Sequence, residues 1–252
     1  MALAGVLAID KPEGWTSHDV VAVARGVLGI RRVGHGGTLD PLATGLLPVL
    51  IGDATRSTER LHTAPKVYDA LVRLGSETTT DDREGEVTRT APPPTSADDV
   101  ADALAPLRGL IQQVPPSFAA IKVGGRTAYS RARAGEPFAL AAREVQVHRL
   151  EMTEWDGGDA RLLVVCSSGT YVRAIARDLG RALGSAAHLA ALRRLAVGAL
   201  DVADAIGIEE LRESGRDAAI ARVRAMDDSV LALPRRYLEE SADRLVHARG
   251  RT

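Results

Sequence analysis

Apolar and polar positions follow one another along the chain in a mixture of strand-like and helix-like periods. Residues 6–9 form a short apolar run that ends in a Lys-Pro turn and predict a strand. Ser17 is placed to cap a helix through Leu28, with Val20, Val23, Ala24 and Val27 on one face and Gly29 as its stop. Residues 34–45 then read as a Gly-rich loop. Residues 67–74 alternate like a strand, with Tyr68, Ala70, Val72 and Leu74 on the apolar side. Residues 75–95 are polar, end in three prolines, and predict an acidic loop. Ser96 with Asp99 predicts a capped helix to about Leu107. Further on, residues 119–123, 145–152 and 161–166 predict strands, and 126–134, 171–183 and 188–194 predict helices. A strand is expected near residues 196–200, and the last fifty residues are mostly helical in pattern. There is no internal repeat, and the elements do not alternate regularly as βαβ. The class predicted is therefore α+β, with a mixed, largely antiparallel sheet.

Composition adds little to that picture and charge adds more. The chain has 252 residues, 45% apolar and 26% charged, which is ordinary for a globular protein. No stretch approaches the roughly 18 continuous apolar residues of a membrane span. The apolar start at residues 3–9 is broken by Asp10, Lys11 and Pro12, too soon for a secretory signal. A single cysteine, Cys166, excludes an internal disulfide and a Cys-rich zinc site. A cytoplasmic protein is expected. The net charge is −1, but it is unevenly spread. Residues 76–104 hold eight acids and two bases, whereas residues 105–200 hold thirteen bases and seven acids. A basic middle could face a phosphate backbone, or the pattern could be ordinary surface alternation.

Three segments could carry chemistry. Residues 34–45, GHGGTLDPLATG, gather His35, Thr38 and Asp40 among four glycines. A glycine-rich backbone can approach a ligand closely, and Asp40 before Pro41 would have a fixed orientation. The segment also fits a structural turn with Asp40 as a cap, and it lacks the Lys-Ser/Thr of a phosphate loop. The second segment, CSSGTYVR at residues 166–173, places Arg173 in the first turn of a predicted helix. A cation there opposes the helix dipole, so it is expected to have an anionic partner, either Asp40 or an RNA phosphate. Arg177 and Arg181 continue its stripe and read as a solvated face. Tyr68 is third, either a core residue whose hydroxyl needs a partner or a ring that stacks on a base. His18 and His188 read as structural, and Trp15 and Trp155 as packing residues. No metal-ligand spacing is present.

These segments together resemble those of the TruB pseudouridine synthases. The resemblance lies in KPEGWTS (11–17), GHGGTLDPLATGLL (34–47), KVYDALVRLG (66–75), TTTDDREGEV (78–87), QQVPPSFAAIKVGGRTAY (112–129) and CSSGTYVRAIARDLG (166–180). Order and spacing agree from about residue 6 to about residue 211. The resemblance implies the α+β pseudouridine synthase core and isomerisation of a uridine in the tRNA T-loop, at position 55. It implies Asp40 as the catalytic aspartate and Tyr68 as the active-site tyrosine that stacks on the target base. Arg173 would be the basic residue paired with the aspartate, Lys11 and Tyr171 would support the site, and His35 would help displace the nucleotide. No cofactor or metal is implied, because the reaction involves no redox change. The partner implied is the T-arm of tRNA, with no membrane and no obligatory protein partner, so a monomer is expected.

The chain departs from the family pattern in places. Gly36 stands where relatives often have Thr or Ala, and Ala119 where they usually have Ser. Residues 1–211 are expected to form the catalytic domain, with an RNA-contacting insertion at about 110–152. Residues 212–252 are too few for a complete PUA-type domain, and weaker hold on the far end of the tRNA is expected. The alternatives are a guide-RNA-dependent synthase like the dyskerin family, or a tRNA-folding factor with incidental catalysis.

Overall fold

The computed structural model describes residues 3–233 and 236–239. The expectations for the C-terminal segment therefore fall outside the described residues at 234–235 and 240–252. In chain order the first elements are β1 (Gly5–Lys11), α1 (Ser17–Leu28), β2 (Val33–His35), β3 (Thr44–Ile51), α2 (Thr58–Thr63) and β4 (Lys66–Leu74). The hairpin β5 (Ser76–Thr78) and β6 (Val87–Thr90) follows, then α3 (Ala97–Ala103), β7 (Gly109–Gln113), the small hairpin β8 (Lys122–Val123) and β9 (Arg126–Thr127), and α4 (Ala128–Arg133). The chain continues through β10 (Arg143–Trp155), β11 (Asp159–Cys166), α5 (Val172–Ala182), β12 (Ala187–Val197), β13 (Leu200–Asp201), β14 (Ile206–Gly207), α6 (Ile208–Ala221) and α7 (Arg236–Glu239). Parallel and antiparallel ladders are mixed, as the α+β expectation requires. Among the described residues, no helix is long and apolar enough to cross a membrane.

Contacts group the described residues into two compact units, residues 3–69 with 192–239, and residues 70–191. In the first unit β1 pairs with β3 antiparallel from Gly5↔Ile51 to Lys11↔Gly45, with β14 parallel to β1 and β2 antiparallel to β3. β3 reads TGLLPVLI and is buried almost throughout, the continuous apolar run of a strand covered on both faces. Leu47, Val49 and Ile51 join Leu7, Ile9 and residues of α1 and α6 on one side. Leu46 and Leu50 join Val6, Ala8, Leu61 and Val197 on the other. The helix start predicted at Ser17 is corrected by one residue. Thr16 is the cap, accepting from the Asp19 amide while the Asp19 carboxylate accepts from the Thr16 amide at 2.9 Å. The Ser17 hydroxyl instead accepts from the Leu39 amide at 3.0 Å and fixes the Gly-rich loop.

The helix expected at residues 188–194 is a strand, part of β12. Its Ala, Leu and Arg residues favour helix, but parallel pairing of Arg193 and Arg194 with Thr44 and Gly45 overrides that preference. Gly45 has φ +97, and an added Cβ would lie 2.3 Å from the Arg194 carbonyl oxygen. Gly45→Ala is therefore expected to destabilise the protein by at least about 1–3 kcal/mol, read as a lower urea midpoint.

The second unit carries the largest correction. Its strands run in the order β4, β11, β10, β7. Residues 75–95, expected as an acidic loop, contain the β5–β6 hairpin with Glu77 opposite Arg89. Glu77, Asp81 and Asp82 are buried. They meet the arginine stripe of α5: Arg181 reaches Glu77 at 3.0 Å, Arg177 reaches Asp81 at 2.7 Å, and Arg173 lies 3.4 Å from Asp82. Arg177 is buried rather than solvated, and Arg181 is exposed but paired. The acidic and basic segments thus neutralise one another within the unit. The strand expected at 119–123 is only its last two residues, in the β8–β9 hairpin. The helix expected from 126 begins at Ala128, capped by the Thr127 hydroxyl.

Candidate active site

The Gly-rich loop, residues 36–43, links the end of β2 to the start of β3 in the first unit. Its backbone is tied down from several directions. The Gly36 amide donates to the Pro48 carbonyl at 2.8 Å, the Gly14 amide to Pro41 at 2.9 Å, and the Ala43 amide to Asp40 at 3.0 Å. Asp40 is half-buried at the centre of this loop, flanked by buried Leu39 and Leu42.

Lys11, at the end of β1, has no exposed surface. Its ammonium donates to the carbonyls of Trp15 at 2.7 Å, Pro12 at 3.0 Å and Pro41 at 3.3 Å. Burial pushes its pKa down to about 8; the Asp40 carboxylate opposes that drop and the Arg194 cation adds to it. The unfolded lysine takes up its proton near 10.5, so between about pH 8 and that value the unfolded state binds more protons. This group's contribution therefore rises with pH across that window. Urea melts of wild type and Lys11→Met at pH 7.5 and pH 10 are expected to show the wild-type advantage growing at the higher pH.

Sequence reasoning passed over Arg194, because residues 188–194 read as a helix. As a strand residue it points inward and is the largest fully buried side chain described. Its guanidinium donates to the carbonyls of Leu46 at 2.7 Å, Gly37 at 3.1 Å and Thr38 at 3.3 Å, and it is hydrogen-bonded to Tyr68. Burial lowers its pKa and Tyr68 raises it. Tyr68 itself is half-buried on β4. His35 closes β2, opposite Val49. Its ring meets His18 edge-to-face with centroids 5.6 Å apart. Burial, then the neighbouring His18, His62 and Arg194, hold its pKa below the usual histidine value, which favours the neutral ring. The structure thus brings Asp40, Lys11, Tyr68 and His35 into one unit.

Arg173 and Tyr171 belong to the second unit. Arg173, in the first turn of α5, is buried; it donates to the carbonyls of Thr80 and Phe118, each at 3.1 Å. Asp82 supplies anionic compensation, a partner absent from the sequence expectation. Asp82 is in turn held by the Thr80 hydroxyl at 2.6 Å and caps the Glu84 amide at 3.0 Å. Tyr171 occupies the cap position of α5. Fully buried Gln113 accepts from its amide at 2.8 Å and donates to its carbonyl at 3.2 Å. The Arg143 guanidinium lies 4.7 Å from the centre of its ring. His188 is structural as expected, its ring bonded to Ser76. Trp15 packs against the core of the first unit, as its packing role requires.

Comparison with known proteins puts a family to this arrangement. Residues 25–172 match the model of the TruB family pseudouridylate synthase N-terminal domain, and residues 173–233 that of the tRNA pseudouridylate synthase B C-terminal domain. A tRNA pseudouridine synthase B of Paenarthrobacter aurescens is 51% identical over 218 residues, covering 84% of this chain and 70% of that protein. The protein of that name from Thermobifida fusca is 48% identical over 258 residues, covering 96% and 85%. A chain of the archaeal box H/ACA sRNP Nop10-Cbf5 complex superposes with a TM-score of 0.67 at 28% identity over 92% of this chain, which spans 63% of that one. Two adjoining family models matched from residue 25 to residue 233, with relatives near half identity, show that the chain belongs to the TruB family of pseudouridylate synthases.

Proposed function

We propose that this protein isomerises uridine to pseudouridine in the T-loop of tRNA, at position 55, with Asp40 as the catalytic carboxylate. The observation that carries the reading is the immobilised Asp40 loop, braced by Ser17, Lys11 and Arg194. The reaction breaks the bond from ribose C1′ to the base nitrogen, turns the base, and rejoins it through carbon 5. An ionised carboxylate beside C1′ can attack the sugar or begin an elimination, and both need its position fixed. Lys11 places a positive charge in electrostatic contact with that carboxylate. Extruding the uridine costs a few kcal/mol; His35 would fill the gap and the Tyr68 ring would hold the base. Arg173 would pair with the aspartate, and Tyr171 would support the site.

Residues 1–211 would form the catalytic part, with RNA contacts from about residues 110–152, where Tyr129 is exposed against Phe118. Residues 212–252 would be a short C-terminal segment. We also propose that the enzyme is cytoplasmic and acts as a monomer without a guide RNA or obligatory protein partner. The tRNA pseudouridine synthase B relatives support this over the guide-dependent alternative. Carbodiimide mapping of a tRNA transcript after incubation tests the site: one new pseudouridine is expected at position 55, and none in a transcript carrying cytidine there. Modification elsewhere, or only with an added guide RNA, would overturn the assignment.

A further inference from the structure

Arg194 combines complete burial, a positive charge and four contacts to the segments that carry Asp40 and Tyr68. A buried cation is costly unless its donors are satisfied, and a core position of this kind is ordinarily apolar. The contacts are not scattered. Gly37 and Thr38 precede Asp40 by three and two residues, Leu46 follows it by six, and Tyr68 faces from β4. Gly37 has φ +134, a conformation open to glycine that leaves its carbonyl turned to the guanidinium. The main chain of Arg194 is locked as well, since its pairing with Gly45 leaves no room for a side chain there.

We infer that Arg194 is a positioning residue of the isomerisation, its planar guanidinium fixing the spacing between the Asp40 loop and the Tyr68 hydroxyl. The inference rests on the functional reading above. Arginine has five donors in a rigid plane and can span three carbonyls and a phenol at once. A lysine would keep the charge but, with three donors on one atom, could not span the same set. The site would remain folded but looser, and a misplacement of about 1 Å costs on the order of 100-fold in rate.

The test measures single-turnover pseudouridine formation, tRNA Kd and melting temperature for wild type, Arg194→Lys, Tyr68→Phe and the double variant. Arg194→Lys is expected to slow turnover by about 100-fold with the tRNA Kd within about threefold. The double variant is expected to be barely slower than the slower single variant, because both remove one link. A folded Arg194→Lys with wild-type turnover, a loss confined to Kd, or losses that multiply fully in the double variant would overturn the inference. If Arg194→Lys does not fold, Tyr68→Phe decides alone: slower turnover at unchanged Kd supports it and wild-type turnover overturns it. Absence of conversion by wild type would instead overturn the functional reading, and this inference with it.

Discussion

Asp40→Asn is expected to reduce pseudouridine formation by on the order of 10⁴-fold or more, with tRNA affinity within about threefold of wild type. The substitution is isosteric, and it leaves in place the backbone bond from the Ala43 amide to the Asp40 carbonyl. What is lost is the negative charge and with it the ability to attack C1′ or to accept a proton. Removing a negative charge from a site that faces a polyanion does not weaken phosphate contacts, so binding and chemistry separate. A second readout follows from Lys11. Asp40 raises the Lys11 pKa, so the variant lowers it further, below about 8, measurable by NMR titration. If Asp40→Asn retained the biological benefit while forming no product, the folding-factor role would be the relevant one.

Arg177→Leu is expected to destabilise the protein by about 3–5 kcal/mol at pH 7, the largest stability effect predicted here. Arg177 and Asp81 are both buried, 2.7 Å apart, and Arg177 also holds the Val114 carbonyl at 2.8 Å. Removing the arginine leaves a buried carboxylate without its main counter-charge. Burial already holds the Asp81 pKa above the usual carboxylate value, with Arg177 the chief opposing influence. Without Arg177 that pKa rises further. A carboxyl whose folded pKa is raised favours the folded state below its unfolded value, and loses that advantage as pH climbs. The defect of Arg177→Leu relative to wild type is therefore expected to shrink as pH falls from 7 toward 4. Asp81 has φ +60, which Asn tolerates, so Asp81→Asn in the Arg177→Leu background is expected to restore part of the loss. Urea denaturation at the two pH values reads both outcomes.

These two residues mark what the sequence could and could not reveal. Asp40 stands out in the sequence as a candidate because four glycines and a proline around a carboxylate are an unusual local pattern, and because the motif resembles a known one. In the first unit β1 was legible as the apolar run at residues 6–9, whereas β3 went unread even though two-sided burial writes it as the continuous apolar run TGLLPVLI. Arg177 was misread because its partner lies 96 residues away; periodicity carries no information about which charges meet across a fold. The acidic stretch at residues 75–95 was misread for the same reason. Asp82 and Gln113 were overlooked because their roles are to hold Arg173 and Tyr171, contacts made only in the folded unit. Arg194 was hidden by the helical propensity of its neighbours. Had residues 188–194 been read as a strand, a charged residue at a core-facing position would have stood out.

Tritium release from tRNA labelled at carbon 5 of uridine tests the central claim most directly, because that carbon loses its hydrogen only on becoming the new glycosidic atom. If Asp40 is the catalytic carboxylate, wild type releases one tritium equivalent per T-loop and Asp40→Asn releases none at matched tRNA occupancy. Release by Asp40→Asn at the wild-type rate, or no release by wild type with tRNA bound, would contradict it.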